Sequence, residues 1–190
     1  MAVVYSQNGV IVKPKKNDYT VIGDKKYKTV IMPDGKEWLA ENLDFRMSST
    51  DSYYNNDETT YGWNGRKYGL LYNRTSCQAI YDYFNRFYPE WRLPTEEDYN
   101  TLITSVNNDV SLLKSSLYWN TPGTDNYGFN AMPTGYYDEN DRVLYDMNFT
   151  TFIKLQSNRA NFLYIEENNM SIANWQAPIF ASIRLVRDAT

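Results

Sequence analysis

Apolar positions fall at helical spacing in two segments of this chain and in strand-like alternation or short β-branched runs across most of the rest. Ile80, Tyr83, Phe84 and Phe87 stand at i, i+3, i+4 and i+7 and predict a helix over about 76–87. Thr75 or Ser76 is the expected cap and Pro89 the stop. Tyr99, Leu102, Ile103 and Val106 form a second stripe and predict a helix over about 96–107. Thr95 caps it, and Asp98 stands at capping-box spacing with Asp in place of the usual Glu. Glu96, Glu97 and Asp98 place negative charge on the positive end of the helix dipole. Both stripes read as core faces.

The strand-like runs bracket these helices. Residues 27–32 are one, followed by the turn Pro33-Asp34-Gly35 and a returning segment over 37–43 that carries Trp38 inward. Residues 46–67 read as a long polar loop. After the second helix, 111–116 suggests one helical turn, and 129–133, 135–137, 143–145, 151–155 and 162–166 read as strands. Residues 180–187 close the chain as a strand, with Ala181, Ile183 and Leu185 alternating against Ser182 and Arg184. At the front, 3–5 and 10–12 are short β-like runs around Asn8-Gly9, and 14–18 are polar. An arm over 1–22 and a domain over 23–190 follow from this division. Helices set between an early hairpin and a late set of strands predict an α+β fold, two helices packed on antiparallel sheet with long loops.

Composition narrows the chemistry. The 190 residues are enough for one domain, and the net charge of −4 without a sustained basic run argues against nucleic acid as a partner. No apolar stretch reaches the roughly 20 residues that span a bilayer, so no membrane insertion is expected. There is no histidine and a single cysteine, Cys77, which removes Ser-His-Asp and Cys-His nucleophiles, His-ligated zinc and an intramolecular disulfide. The acidic groups Asn56-Asp57-Glu58 and Asp138-Glu139-Asn140-Asp141 read as solvated turns, so no metal and no cofactor is expected. The opening residues lack the basic and apolar regions of a secretory signal, from which folding in a cytoplasm is expected, with release by lysis as the route outside.

Several segments, in order, carry a resemblance. They are Tyr27-Lys28-Thr29-Val30 with Glu37-Trp38-Leu39-Ala40-Glu41-Asn42-Leu43, Tyr68-Gly69-Leu70-Leu71-Tyr72, Trp91-Arg92-Leu93-Pro94-Thr95, Leu113-Lys114-Ser115 with Trp119, the run from Gly128 to Tyr136, and Ile183-Arg184-Leu185-Val186-Arg187-Asp188. Over about 23–188 the chain resembles the Fibrobacter succinogenes major paralogous domain. The resemblance implies a C-type-lectin-like fold with paired N- and C-terminal strands, related to formylglycine-generating enzymes and to variable receptor-binding proteins of phage. Trp38, Trp91 and Trp119 are expected in the core, Gly128 and Gly135 at positive φ or close approach, and Pro94-Thr95 at a helix start. Family members usually carry a Cys before the Trp-Arg-Leu-Pro segment and another in the final strand. Here both positions are vacant, as loss of a disulfide in a reducing compartment would leave them.

The 18 tyrosines and 21 asparagines suit an adaptable binding surface: Tyr supplies contact area on few rotors, and Asn supplies donors and acceptors. Two loop groups are the candidates. Tyr53, Tyr54, Tyr61, Trp63, Asn64 and Tyr68 form one, and Asn158, Arg159, Asn161, Asn168, Asn169, Asn174 and Trp175 form the other. Stacking of the rings on sugars with Asn bonding hydroxyls is one use. Packing beneath the loops or at a subunit interface is the other. The expectation is a non-enzymatic phage virion protein, a head or tail fibre or decoration module that displays its lectin-like domain to a host-surface glycan or protein. The arm over 1–22 would join other virion proteins or assemble a homo-oligomer, with a trimer the favoured state. The alternatives are a bacterial surface or intracellular binding module and, third, an enzyme of the formylglycine-generating type, for which Cys77 would have to act without a histidine or a second cysteine.

Overall fold

The computed structural model describes residues 18–46, 53–54, 68–156 and 161–189. Its first three strands are β1 (Asp18–Ile22), β2 (Lys25–Ile31) and β3 (Lys36–Leu39), followed by the two-residue strands β4 (Tyr53–Tyr54) and β5 (Leu71–Tyr72). Helices α1 (Arg74–Phe87) and α2 (Glu96–Ser105) and a 3₁₀ turn (Val110–Leu112) come next. The later strands are β6 (Tyr136–Asp138), β7 (Val143–Tyr145), β8 (Thr151–Lys154), β9 (Asn161–Ile165), β10 (Met170–Asn174), β11 (Ile179–Phe180) and β12 (Val186–Asp188). The strands form a four-stranded sheet β1-β2-β3-β12, two three-stranded sheets, β10-β9-β8 and β11-β6-β7, and the pair β4-β5. Every pairing between these strands is antiparallel, so the chain is α+β.

Alternation along the first sheet sends its side chains to two cores. Val30, Trp38 and Val186 join Tyr99 and Leu102 of α2 and Val106, the residue that caps its C-terminus, in one cluster. Ile22, Tyr27 and Leu39 join Cys77, Ile80 and Phe84 of α1 in the other. Each helix therefore covers its own side of the sheet. The three expected core tryptophans are buried, and each indole N–H has an acceptor: Asp34 Oδ2 for Trp38, Thr20 Oγ1 for Trp91 and the Ala131 carbonyl for Trp119. The chain's last segment ties the sheets together. Ala181 bridges Tyr72, Ser182 bridges Ile153, and Val186 bridges Arg92 while pairing with Trp38.

The helix ends follow from side-chain chemistry. α2 begins with the expected capping box, Thr95 and Asp98 each accepting from the other's backbone N–H. α1 begins two residues earlier than its apolar stripe suggests because Asn73 is the cap: its Oδ1 accepts from Ser76 N. Phe87, expected in the α1 stripe, is 55% exposed, while Ile80 and Phe84 are buried and Tyr88 after the helix packs on the same cluster. β1 belongs to the sheet and Ile22 to its core, so the domain starts within the span expected as an arm; residues 1–17 lie outside the described ones. Residues 129–133 form no strand; Ala131 alone bridges Lys114. β10 lies outside the expected strands and pairs wholly with β9.

Asp98 does more than cap. Its carboxylate accepts from Arg92, lies 2.7 Å from Lys36 Nζ on β3, and so joins α2 to the sheet. Burial alone would raise this carboxyl, but the bonds from Arg92, Lys36 and Thr95 outweigh it and hold it well below the usual carboxylate range. A depressed carboxyl stabilises the fold above the unfolded-state pKa near 4, and that contribution is lost as pH falls toward the folded-state pKa. Asp98→Asn is expected to cost about 2–3 kcal/mol at pH 7. Thermal melts between pH 7 and pH 2 should show the gap between wild type and variant closing below about pH 4. A gap independent of pH would contradict the assignment.

Candidate functional site

Partly exposed aromatic rings gather where β6-β7 meets β8-β9-β10. Tyr136 and Tyr145 are a cross-strand pair, and their rings stack 5.6 Å apart at 27°. Phe152 and Tyr164 are the corresponding pair on β8 and β9, 4.7 Å apart. Trp175 follows β10 and closes the group, 5.8 Å from Tyr136 and 5.7 Å from Phe152. Phe152 is buried beneath, whereas Trp175 remains 40% exposed. Tyr145 donates its hydroxyl to Asp141 and Tyr164 to Glu166, so two carboxylates rim the platform. Burial, with Glu166 beside it, pushes the Tyr164 hydroxyl up to about 12.

A ladder of amides borders Trp175. Gln176 Nε2 donates to Asn174 Oδ1, and Asn174 Nδ2 donates to Asn161 Oδ1 across the β9-β10 pair. Asn174 and Gln176 also line a cleft of about 580 Å³, together with Arg74, Lys154, Phe162 and Glu139. A second cleft of about 550 Å³ shares Arg74, Thr75 and Lys154 with it and reaches Cys77 and Tyr81. Both open at the N-terminus of α1. The Lys154 amine sits 4.4 Å from the Phe162 ring centre, and burial lowers its pKa.

The expected site residues divide accordingly. Asn161, Asn174 and Trp175 come together at one end of the β9-β10 hairpin. Asn168 and Asn169 lie in the turn at its other end, where Asn169 bonds Glu166 through both its carbonyl and its side chain. Five-residue strands separate the two ends by about 13 Å. Tyr68 is a correction: it is 1% exposed, packs against Tyr118, and its carbonyl accepts from Asn42, so it belongs to the core. Burial pushes its hydroxyl up to about 12. Tyr53 and Tyr54 form β4 beside β5, with side chains outside the described set. Tyr61, Trp63, Asn64, Asn158 and Arg159 also lie outside the described residues, as does the acidic run at 56–58. Asp138 of the other acidic run accepts from Asn140 N and Asp141 N and closes its own turn.

Tyr136, Tyr145, Tyr164 and Gln176 were not among the expected site residues. Their signal was strand alternation: Tyr136 and Tyr145 each bound a short strand, and their pairing places both rings on one face. Cys77 is buried beneath the second cleft, and burial pushes its thiol up to about 12, so at neutral pH it is protonated. Among the described residues no helix is long and apolar enough to cross a membrane. No family model matches this chain, nor does any curated protein or solved structure.

Proposed function

We propose that this chain is a non-enzymatic binding module of C-type-lectin-like fold, allied to the Fibrobacter succinogenes major paralogous domain and displayed on a phage virion. Its platform at Trp175 takes a host-surface glycan or protein. The observation that carries the binding reading is an exposed indole backed by Tyr136 and Phe152 beside the amides of Asn174, Asn161 and Gln176. A sugar ring presents an apolar face that stacks on an indole and equatorial hydroxyls that need donors and acceptors at its edge. Tyr136 and Phe152 hold the indole in place, which lowers the entropy lost on binding. The protonated Cys77 and the lack of histidine fit a role without covalent chemistry. A bacterial surface module of the same family would use the same platform, and mass spectrometry of purified particles distinguishes the two settings.

The test is Trp175→Ala on an array of neutral and acidic glycans and on intact host cells. The platform reading expects binding about 5- to 160-fold weaker than wild type, with an unchanged melt, since removing one stacked aromatic commonly costs about 1–3 kcal/mol. Asn174→Ala should weaken binding less. Equal binding by Trp175→Ala and wild type would defeat the reading.

A further inference from the structure

β1 lies at the edge of the four-stranded sheet, with β2 on its inner side and no strand beyond it among the described residues. Its hairpin with β2 closes through the two-residue turn Gly23-Asp24, with Gly23 at φ +62°. Such a turn closes on a hydrogen-bonded pair, here Ile22 and Lys25. Bonding then alternates, so Thr20 turns its N–H and C=O toward β2 while Tyr19 and Val21 turn theirs outward.

Natural sheets guard such an edge with proline, a bulge or an inward charge. β1 carries one charged residue, Asp18 at its first position; the rest of the strand, Tyr19-Thr20-Val21-Ile22, has no proline and no charge, and the register against β2 runs without a bulge. On its outer face Tyr19 is 48% and Val21 61% exposed, two of the larger apolar exposures among the described residues. The opposite edge, β12, is only three residues long and is bridged by Arg92.

We propose that the edge of β1 pairs with β1 of a second copy of this chain, antiparallel about a two-fold axis at Thr20. The central residues Tyr19, Thr20 and Val21 are self-complementary in that register, while at each end Asp18 stands opposite the partner's Ile22. Tyr19 faces the partner's Val21 and Val21 the partner's Tyr19, an aromatic and β-branched pair formed twice. The same register sets the outward N–H and C=O groups of Tyr19 and Val21 opposite each other, which is what a hydrogen-bonded antiparallel pair requires. Lys26 and Lys28 pair with Val21 and Tyr19 one strand inward, and Lys26 lies 4.3 Å from the Tyr19 ring centre. The two lysine rows are then about 14 Å apart, three strand spacings, which exceeds the screening length of roughly 8–10 Å in physiological salt. Their repulsion does not oppose the contact. A two-fold contact closes at two copies, in contrast to the trimer expected of fibre modules. A single strand pair buries less than a standard interface, so the contact is expected to be weak and concentration-dependent.

Light scattering of the full chain after size exclusion, across a hundredfold range about the micromolar, tests this. The mass should rise from one chain of 22.3 kDa toward twice that value. Val21→Lys and Val21→Pro should each hold the mass at one chain without lowering the melt, because Val21 is exposed and its N–H points outward. Val143→Lys, at an exposed position on β7, should leave the two-chain mass unchanged. Hydrogen exchange at Tyr19 and Val21 should slow as concentration rises. A mass of one chain throughout, a mass of three chains, or a two-chain mass unaffected by Val21→Pro would overturn the proposal. So would slow exchange at these two amides in a one-chain species, since another segment of the same chain would then cover the edge.

Discussion

Replacing Arg184 with leucine should lower the stability of this protein by about 4 kcal/mol, read as a shift in the urea midpoint at unchanged m-value. Arg184 is fully buried. Its Nε donates to Asn42 Oδ1, its Nη1 to the carbonyls of Leu39 and Phe129, and its Nη2 to the carbonyl of Asn130. The guanidinium also lies 4.5 Å from the Phe129 ring centre. Burial lowers its pKa to about 10, so it is charged at neutral pH. Leucine would leave four acceptors from two segments, 39–42 and 129–130, without these donors, and each buried unsatisfied group costs about 1–3 kcal/mol before relaxation. Arg184→Lys keeps the charge but not the planar fork, and should fall between wild type and leucine. Arg187, whose bond to Glu37 lies near the surface, should cost less on the same change. A loss below about 1 kcal/mol for Arg184→Leu would mean that the carbonyls find other donors and that the residue does not clamp the core.

Arg184 also marks where sequence pattern stops being informative. The alternation in 180–187 set Ser182 and Arg184 on the face opposite Ala181, Ile183 and Leu185, which ordinarily means solvent. Here both faces are buried. Asn42 bonds Ser182 and the Tyr68 carbonyl, Ser182 bonds Thr134, and Thr134 bonds Thr151. A polar network inside a protein has no period in the sequence, because its partners come from segments as far apart as 42 and 184. What was legible was local: the α2 capping box, the turn at Gly35, and the stripe of Tyr99, Leu102 and Val106. Of the candidate site residues the structure brings Asn161, Asn174 and Trp175 together, the two asparagines as strand ends of β9 and β10 rather than as loop residues. The site was not legible at Tyr136, Tyr145 and Tyr164, whose rings meet through cross-strand pairs inside two different sheets that touch at Tyr136 and Phe152. Tyr68 failed as a site residue for the opposite reason: loop-like surroundings in sequence conceal a ring packed against Tyr118 in the core.

Gly135→Ala should be the other large loss, about 3–4 kcal/mol, and it should act on the platform as well as on the fold. Gly135 has φ +62° and immediately precedes Tyr136. Alanine in the left-handed region costs about 1–2 kcal/mol by itself. The added methyl would also collide with the Tyr145 carbonyl oxygen, and it would lie 2.9 Å from Met147 N and 3.1 Å from the Asp146 carbonyl carbon. All three are backbone atoms of the segment leaving β7, so no rotamer change relieves the contact. To make room, that segment has to shift, which strains the bonds from Gly135 N to the Thr150 carbonyl and from Asn148 N to the Pro133 carbonyl. The stacked rings of Tyr136 and Tyr145 sit on the two strands being forced apart. Near-UV circular dichroism should therefore change, and glycan or host-cell binding should fall at temperatures where the variant remains folded. Gly35→Ala is the control: its φ is +80°, but no atom lies within 4 Å of the added methyl. It should cost only the conformational part, about 1–2 kcal/mol, and leave binding intact. Equal losses for the two alanines would show that the close approach of Gly135 to β7 contributes nothing, and that the platform is held from elsewhere.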